Sequence, residues 1–281
     1  MKGKVCLVTG ANTGIGEVTA RELAGRGAKV WMACRNQTKA AEAAARIRAV
    51  HPDAALELLP LDLADLGSVR EAAAAFLASG ERLDVLVNNA GLAGQRGVTA
   101  QGFELTFGVN HLGHFLFTEK LRDRLVESAP ARVVIVASRA HERVRRVDLD
   151  DLRRPTRTIS GFPEYQVSKL CNVLHAKALA RRLEGIGVTT YALHPGVVAS
   201  DVWRKVPWPA RAVMKLFMVT NEEGAQTTLR CATDPALADE TGLYYSDCAQ
   251  KQAAALARDE ALQEELWRRS EAWCAPGSTP H

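Results

Sequence analysis

Apolar runs of five or six residues alternate along the chain with longer segments whose apolar positions recur at helical spacing. The runs at 4–8, 28–33, 56–61, 83–88, 132–137 and 188–193 predict strands, and a last short run at 242–245 predicts a further one. Helical periodicity predicts helices over 17–26, 37–50, 66–79, 102–128, 164–184 and 253–274, the second ending at His51-Pro52 because proline cannot continue it. The strands are continuously apolar instead of alternating with polar residues, as a parallel sheet buried on both faces requires. The expected fold is therefore α/β: a single-domain doubly wound (Rossmann) parallel sheet with helices on both faces, spanning 1–281. In such sheets ligands bind at the carboxyl ends of the strands near the point where strand order reverses.

The loop after the first strand carries the first chemistry. Gly10-Ala11-Asn12-Thr13-Gly14-Ile15-Gly16 lies between a strand and a helix. Glycine permits a tight turn and close approach, and the free N–H groups of a helix N-terminus suit a pyrophosphate. Three residues separate the first two glycines, so the spacing differs from the commonest dinucleotide fingerprint. After the second strand stands Cys34-Arg35-Asn36, with no carboxylate for a ribose 2′-hydroxyl and with Arg35 able to pair with a 2′-phosphate, which predicts NADP(H) over NAD(H). Asp62-Leu63 after the third strand is placed to meet the adenine. Asn88-Asn89-Ala90-Gly91 after the fourth is placed at the edge of the site.

Ser138 follows the fifth strand, and Tyr165 and Lys169 stand four residues apart on the next helix, on one face and one turn apart. A phenol titrates near pH 10, and a nearby ammonium favours its ionised form, so Tyr165 is the expected acid/base and Ser138 the group that hydrogen-bonds a substrate oxygen.

Composition narrows the remaining classes. With 47% hydrophobic and 24% charged residues in 281, the chain is globular. A net charge of +4 without a basic, aromatic-bearing face argues against nucleic acid. Six scattered cysteines with no C-x-x-C pair read as reduced thiols. No run reaches the length of a membrane span, and a strand beginning at residue 4 leaves no room for a signal peptide, so a cytoplasmic protein is expected. His111, His114 and His194 have no carboxylate or cysteine cluster near in sequence, so they read as structural and no metal is expected.

Taken together, Thr9-Gly10-x-x-x-Gly14-Ile15-Gly16, Asn88-Asn89-Ala90-Gly91, Asn110, Ser138, Tyr165-x-x-x-Lys169 and Pro195-Gly196 resemble the short-chain dehydrogenase/reductase family in order and spacing, over nearly the whole chain. The resemblance implies that Tyr165 is the acid/base, Lys169 binds the nicotinamide ribose and tunes Tyr165, Ser138 orients the carbonyl, and Asn110 supports a water-linked proton relay. It also places Gly10, Asn12, Thr13, Gly14, Ile15, Gly16, Arg35, Asp62, Leu63, Asn89, Ala90, Gly91, Pro195, Gly196, Val198 and Ser200 around the cofactor. Ala33-Cys34-Arg35, Val109-Asn110-His111-Leu112-Gly113-His114-Phe115 and His194-Pro195-Gly196-Val197-Val198 resemble the retinol-dehydrogenase branch, which implies apolar carbonyls or alcohols as substrates. Three departures stand out: a chain that opens on its first strand is expected to lack the N-terminal anchor of membrane-bound members, residue 200 is Ser where many relatives have Thr, and Gln166-Val167 replaces Cys-His. The resemblance further implies a homodimer or homotetramer through the long helices.

Residues 199–220, with Trp203, Trp208, Phe217, Met214 and Met218, predict an apolar substrate lid. Arg139, Arg143, Arg145, Arg146, Arg153, Arg154 and Arg157 form a basic loop that is first of all a solvated face. Together with the lid, it could touch an anionic membrane surface. A non-catalytic NADP-sensing or scaffold protein on the same fold is the rival reading, and a sugar-nucleotide epimerase would need a C-terminal substrate domain that the pattern lacks.

Overall fold

The computed structural model describes residues 1–196 and 220–275. Eight strands form one sheet in the order β3-β2-β1-β4-β5-β6-β7-β8. They are β1 (Val5–Thr9), β2 (Lys29–Cys34), β3 (Leu56–Pro60), β4 (Val85–Asn88), β5 (Ala131–Val136), β6 (Val188–His194), β7 (Leu243–Ser246) and β8 (Ala249–Lys251). All pairings are parallel except β7 with β8. β8, which has no apolar run to announce it, extends the sheet by a tight antiparallel return through Asp247 and Cys248, both at positive φ. The helices are α1 (Gly14–Gly25), α2 (Gln37–Val50), α3 (Leu66–Ala78), α4 (Gly113–Glu127), α5 (Phe162–Arg182), α6 (Asn221–Thr233) and α7 (Glu260–Cys274).

The continuous apolar strands are explained by two cores. Alternate residues of each strand point to opposite faces, so Val5 and Leu7 join one apolar cluster with α3, α4, α5 and α7, while Cys6 and Val8 join another with α1, α2 and α6. Strand order reverses between β1 and β4, since β2 and β3 lie to one side of β1 and β4 to β8 to the other. At the opposite, amino ends of these two strands, Asp84 accepts from the Val5 N–H (2.9 Å), Lys4 Nζ (2.8 Å) and Arg82 Nε (2.8 Å), pinning β1 to β4. Burial pushes its carboxyl up, but those donors hold it below the ordinary value.

Two expected helices differ in detail. The single helix expected over 102–128 is a short helix (Leu105–Phe107), a π-helical segment (Gly108–Leu112) and then α4. It begins late because the Glu104 carboxylate takes the Phe107 N–H (2.7 Å) and so caps the chain there. The helix expected from 253 begins at Glu260, after a 3₁₀ turn (Leu256–Arg258), because the Asp259 side chain accepts from the Leu262 N–H and starts it afresh. α7 lies on α5 and α4. Trp267 meets Phe115 edge to face (4.9 Å) under the Arg182 guanidinium (3.9 Å), and Trp273 packs on Phe103 and Phe107. Burying each of these rings contributes about 1.5–3 kcal/mol. α7 thus covers part of the long-helix surface on which the expected homodimer or homotetramer rests.

Candidate active site

At the carboxyl edge of the sheet, over the β1–β4 reversal, lies a cleft of about 960 Å³. One wall is the loop after β1. Gly10 and Gly14 have φ of +67° and +58°, a region that disfavours side chains. A Cβ on Gly16 would stand 2.2 Å from the Gly10 carbonyl oxygen and 2.5 Å from Asn89 Nδ2, so only glycine lets α1 seat so closely on the loop. Helices α2, α3, α6 and α7 each start on a side-chain cap from Asn36, Asp65, Thr220 or Asp259. α1 starts on Thr13 without one, and its first turn lines the cleft. A positive helix end with unclaimed N–H groups and no Cβ in the way is an anion cradle, and it fits the pyrophosphate of a dinucleotide.

Seventeen of the expected site residues line this one cleft. Gly10, Asn12, Thr13, Gly14, Ile15, Gly16, Arg35, Asp62, Leu63, Asn89, Ala90, Gly91, Ser138, Tyr165, Lys169, Pro195 and Gly196 all border it. Val198, Ser200 and the expected lid lie outside the described residues. Asn88 does not reach the cleft: it is buried, and its Nδ2 donates to Thr118 Oγ1 (2.8 Å), so it secures β4 against α4. Asn110 is also fully buried, behind the cleft. Its Oδ1 accepts from the Leu92 N–H (2.7 Å), while its Nδ2 donates to the Leu92 carbonyl and to Ser168 Oγ (3.0 Å each).

Several residues at or behind the cleft had no place among the expected site residues. Thr9 Oγ1 accepts the Asn89 and Ala90 N–H groups (2.9 and 3.0 Å), tying the loop after β4 to the end of β1. Those acceptances leave its proton for His114 Nε2 (2.8 Å), and His114 Nδ1–H in turn donates to the Asn110 carbonyl (3.0 Å). A threonine directly ahead of the first glycine was the available signal for the first contact. The π turn that brings His114 under Asn110 left no signal in the periodicity. Lys39 also borders the cleft beside Arg35, and Phe162 stacks near Tyr165 (5.7 Å).

The expected catalytic residues lie close together. Ser138, two residues past the end of β5, accepts from the Ala140 N–H (3.1 Å) and hydrogen-bonds with the Tyr165 phenol. Lys169, one turn along α5, is buried and donates to the Val136 carbonyl (2.8 Å), its Nζ 5.8 Å from the Tyr165 ring centre. Burial drives this ammonium down to about 7. The expected lowering of the phenol by Lys169 is therefore corrected: desolvation holds Tyr165 above its ordinary value of 10, and the opposing influence is Ser138. The ammonium is not directed at the phenol but at a main-chain carbonyl.

Among the described residues no group of three His, Cys, Asp or Glu could hold a metal. All six cysteines are unpaired and five are buried. No helix among the described residues is long and apolar enough to cross a membrane.

Comparison with known proteins agrees with this geometry. Residues 4–147 match the short chain dehydrogenase family. Retinol dehydrogenase 12 of Homo sapiens is 46% identical over 276 residues, covering 96% of this chain and 86% of that protein. Two solved structures superpose at 26% identity: the NADP active-site complex of RhlG from Pseudomonas aeruginosa (TM-score 0.71; 88% of this chain, 95% of that one) and a 3-ketoacyl-(acyl-carrier-protein) reductase from Brucella melitensis complexed with NADH (TM-score 0.68; 87% and 96%).

Proposed function

The chain belongs to the short chain dehydrogenase family, and within it we propose an NADP(H)-dependent oxidoreductase that interconverts an apolar aldehyde or ketone, retinoid-like or long-chain, with its alcohol. One observation carries the reading: Ser138, Tyr165 and Lys169 meet at the cleft that begins at the uncapped α1 N-terminus. The nicotinamide, when bound, supplies or receives the hydride. The Ser138 and Tyr165 hydroxyls would hold the carbonyl oxygen, and Tyr165 would deliver its proton as negative charge grows there. A phenol kept above its ordinary value carries that proton at neutral pH. Lys169, poised near neutrality, would hold the ribose.

The NADP(H) preference is supported by Arg35 and Lys39, which border the cleft beyond β2 with no ion pair of their own among the described residues; the neighbouring Arg46 is held by Glu17 (2.7 Å). The apolar substrate is supported by Leu92 and Phe162 beside Tyr165, and by the similarity to retinol dehydrogenase 12. NADPH and NADH oxidation against retinal, aliphatic aldehydes, steroids and quinones tests both points. Turnover confined to small polar carbonyls, or a clear NADH preference, would contradict them. Tyr165→Phe should abolish turnover and leave NADPH binding measurable. If neither wild type nor variant reduces any carbonyl while both bind NADPH, the non-catalytic NADP-sensing reading takes its place.

A peripheral membrane contact has one supporting observation. Arg143, Arg145 and Arg146 are exposed without ion pairs among the described residues, on the same connection as Ile159, which is 91% exposed. Arg154 and Arg157 are instead paired with Asp151 (2.8 and 3.2 Å), and Arg269 on α7 with Asp150. Sedimentation with anionic liposomes at low salt decides between contact and a solvated loop.

A further inference from the structure

Ser138 can polarise a carbonyl only if the main chain that carries its hydroxyl is held, and the residue that holds it lies three positions along the chain. Ser138 caps the 3₁₀ turn Arg139–Arg143, in which His141 is the one fully buried side chain. The Ser138 carbonyl accepts twice from His141, from its main-chain N–H (3.1 Å) and from ring Nδ1 (2.6 Å). The other ring nitrogen, Nε2, accepts from the Ala254 N–H (3.2 Å), and the ring meets Tyr244 of β7 in a T-shaped contact with centroids 4.9 Å apart.

These contacts fix the tautomer. A main-chain N–H can only donate, so Nε2 must be the bare nitrogen and Nδ1 carries the proton aimed at Ser138. A neutral imidazole is also what burial favours, since desolvation lowers the ring below its ordinary value. The ring is therefore a rigid strut between the Ser138 carbonyl and the segment after β8. A residue with one donor and one acceptor at opposite edges of a plane is needed to fill that gap, and histidine alone supplies both without rotatable slack.

We propose that His141 is a positioning residue for Ser138: it clamps the serine's main chain against the C-terminal segment, and so sets the direction in which the Ser138 hydroxyl meets Tyr165 and the substrate oxygen. This rests on the oxidoreductase reading of the cleft. His141 does not border the cleft, so it acts on the reaction only through Ser138. A group acting through another loses its effect when the other is removed, which distinguishes it from a residue that merely stabilises the fold.

The test is a double-mutant cycle on the full chain, with retinal, or whichever carbonyl of the panel the wild type reduces, and NADPH, and with kcat expressed per NADPH-binding site. His141→Phe keeps the ring against Tyr244 and removes both ring hydrogen bonds. It should lower kcat at least tenfold, with the NADPH Kd within twofold of wild type. In a Ser138→Ala background the same substitution should change kcat by less than twofold. His141→Asn, whose amide nitrogen can take the Nδ1 position, should recover most of kcat, whereas His141→Gln, whose amide reaches only toward Ala254, should not. If the Phe variant does not fold, the Asn and Gln pair decides alone. Wild-type kcat in the Phe variant, an equal loss with and without Ser138, or equal kcat in the Asn and Gln variants overturns the proposal and leaves the oxidoreductase reading standing. A wild-type chain that reduces no carbonyl overturns that reading, and this one with it.

Discussion

Lowering the pH should destabilise the fold through imidazoles that were buried uncharged. His111, in the π-helical segment ahead of α4, and His175 on α5 face α7 beside Phe115 and Trp267, and His114 lies one turn from His111. His175 Nε2 has no hydrogen-bond partner among the described residues. Burial drives His175 down to about 3 and His114 to about 4, from an ordinary 6.5, and pushes His111 in the same direction. The unfolded chain therefore takes up protons first, and stability falls as pH drops from 6.5 toward those folded values. At pH 5 each of His114 and His175 is about 1.5 pH units below the unfolded value and still above the folded one, which costs about 2 kcal/mol apiece, or about 4 kcal/mol together. That is a large share of a typical 5–15 kcal/mol. Glu264, pulled to about 2 by Arg182 and Arg181, loses its contribution only below the ordinary carboxylate range. Glu104 and Glu119, raised by burial, act in the opposite sense. The clean quantity is thus the difference between wild type and His175→Phe, a substitution that keeps an aromatic ring in the cluster. Urea unfolding at pH 7.5 and pH 5.0 should show the variant losing about 2 kcal/mol less than wild type on acidification. An identical pH loss in the two proteins would refute the argument.

Gly16→Ala forces a methyl into the Gly10 carbonyl, so NADPH affinity should fall more than tenfold by fluorescence titration, with the thermal midpoint lowered as α1 moves off the loop. Asp84→Ala leaves the Val5 N–H, Lys4 and Arg82 without their common acceptor at the far end of β1; denaturant unfolding should report a loss of about 3 kcal/mol, with NADPH affinity unchanged. Arg35→Asp should move the ratio of kcat/KM for NADPH over NADH toward NADH by at least tenfold, as a 2′-phosphate would then face a carboxylate.

The fold was legible because burial on two faces writes a simple pattern: an uninterrupted apolar run marks a strand whether its neighbours are known or not. The glycine loop and the Tyr165–Lys169 pair were legible because a phosphate cradle and one helical turn each demand a fixed spacing. β8 was not, since its three residues, Ala249–Lys251, are half-buried or exposed and follow only from the reversal at Asp247 and Cys248. Nor was the break at Asp259, because an N-cap inside an otherwise helical stretch ranks with any surface aspartate until its side chain is seen on the Leu262 N–H. The direction of Lys169 also had to come from the structure. Spacing puts the ammonium on the same face as Tyr165, but its donation to the Val136 carbonyl depends on β5.

The π-helical segment Gly108–Leu112 has a consequence for how this chain tolerates changes in length. A π turn is an α-helix holding one surplus residue, with the flanking turns left in phase. Deleting one residue inside 108–112 should let the helix close into regular α geometry with Thr106 and Phe115 still facing their cores, giving a folded protein that has lost the placement of Asn110. Deleting one residue farther along α4 would instead swing Thr118, Leu121 and Leu125 by about 100° and expose an apolar stripe. The chain here is thus forgiving of shortening at the place where shortening would remove the relay role expected of Asn110, and unforgiving farther along α4.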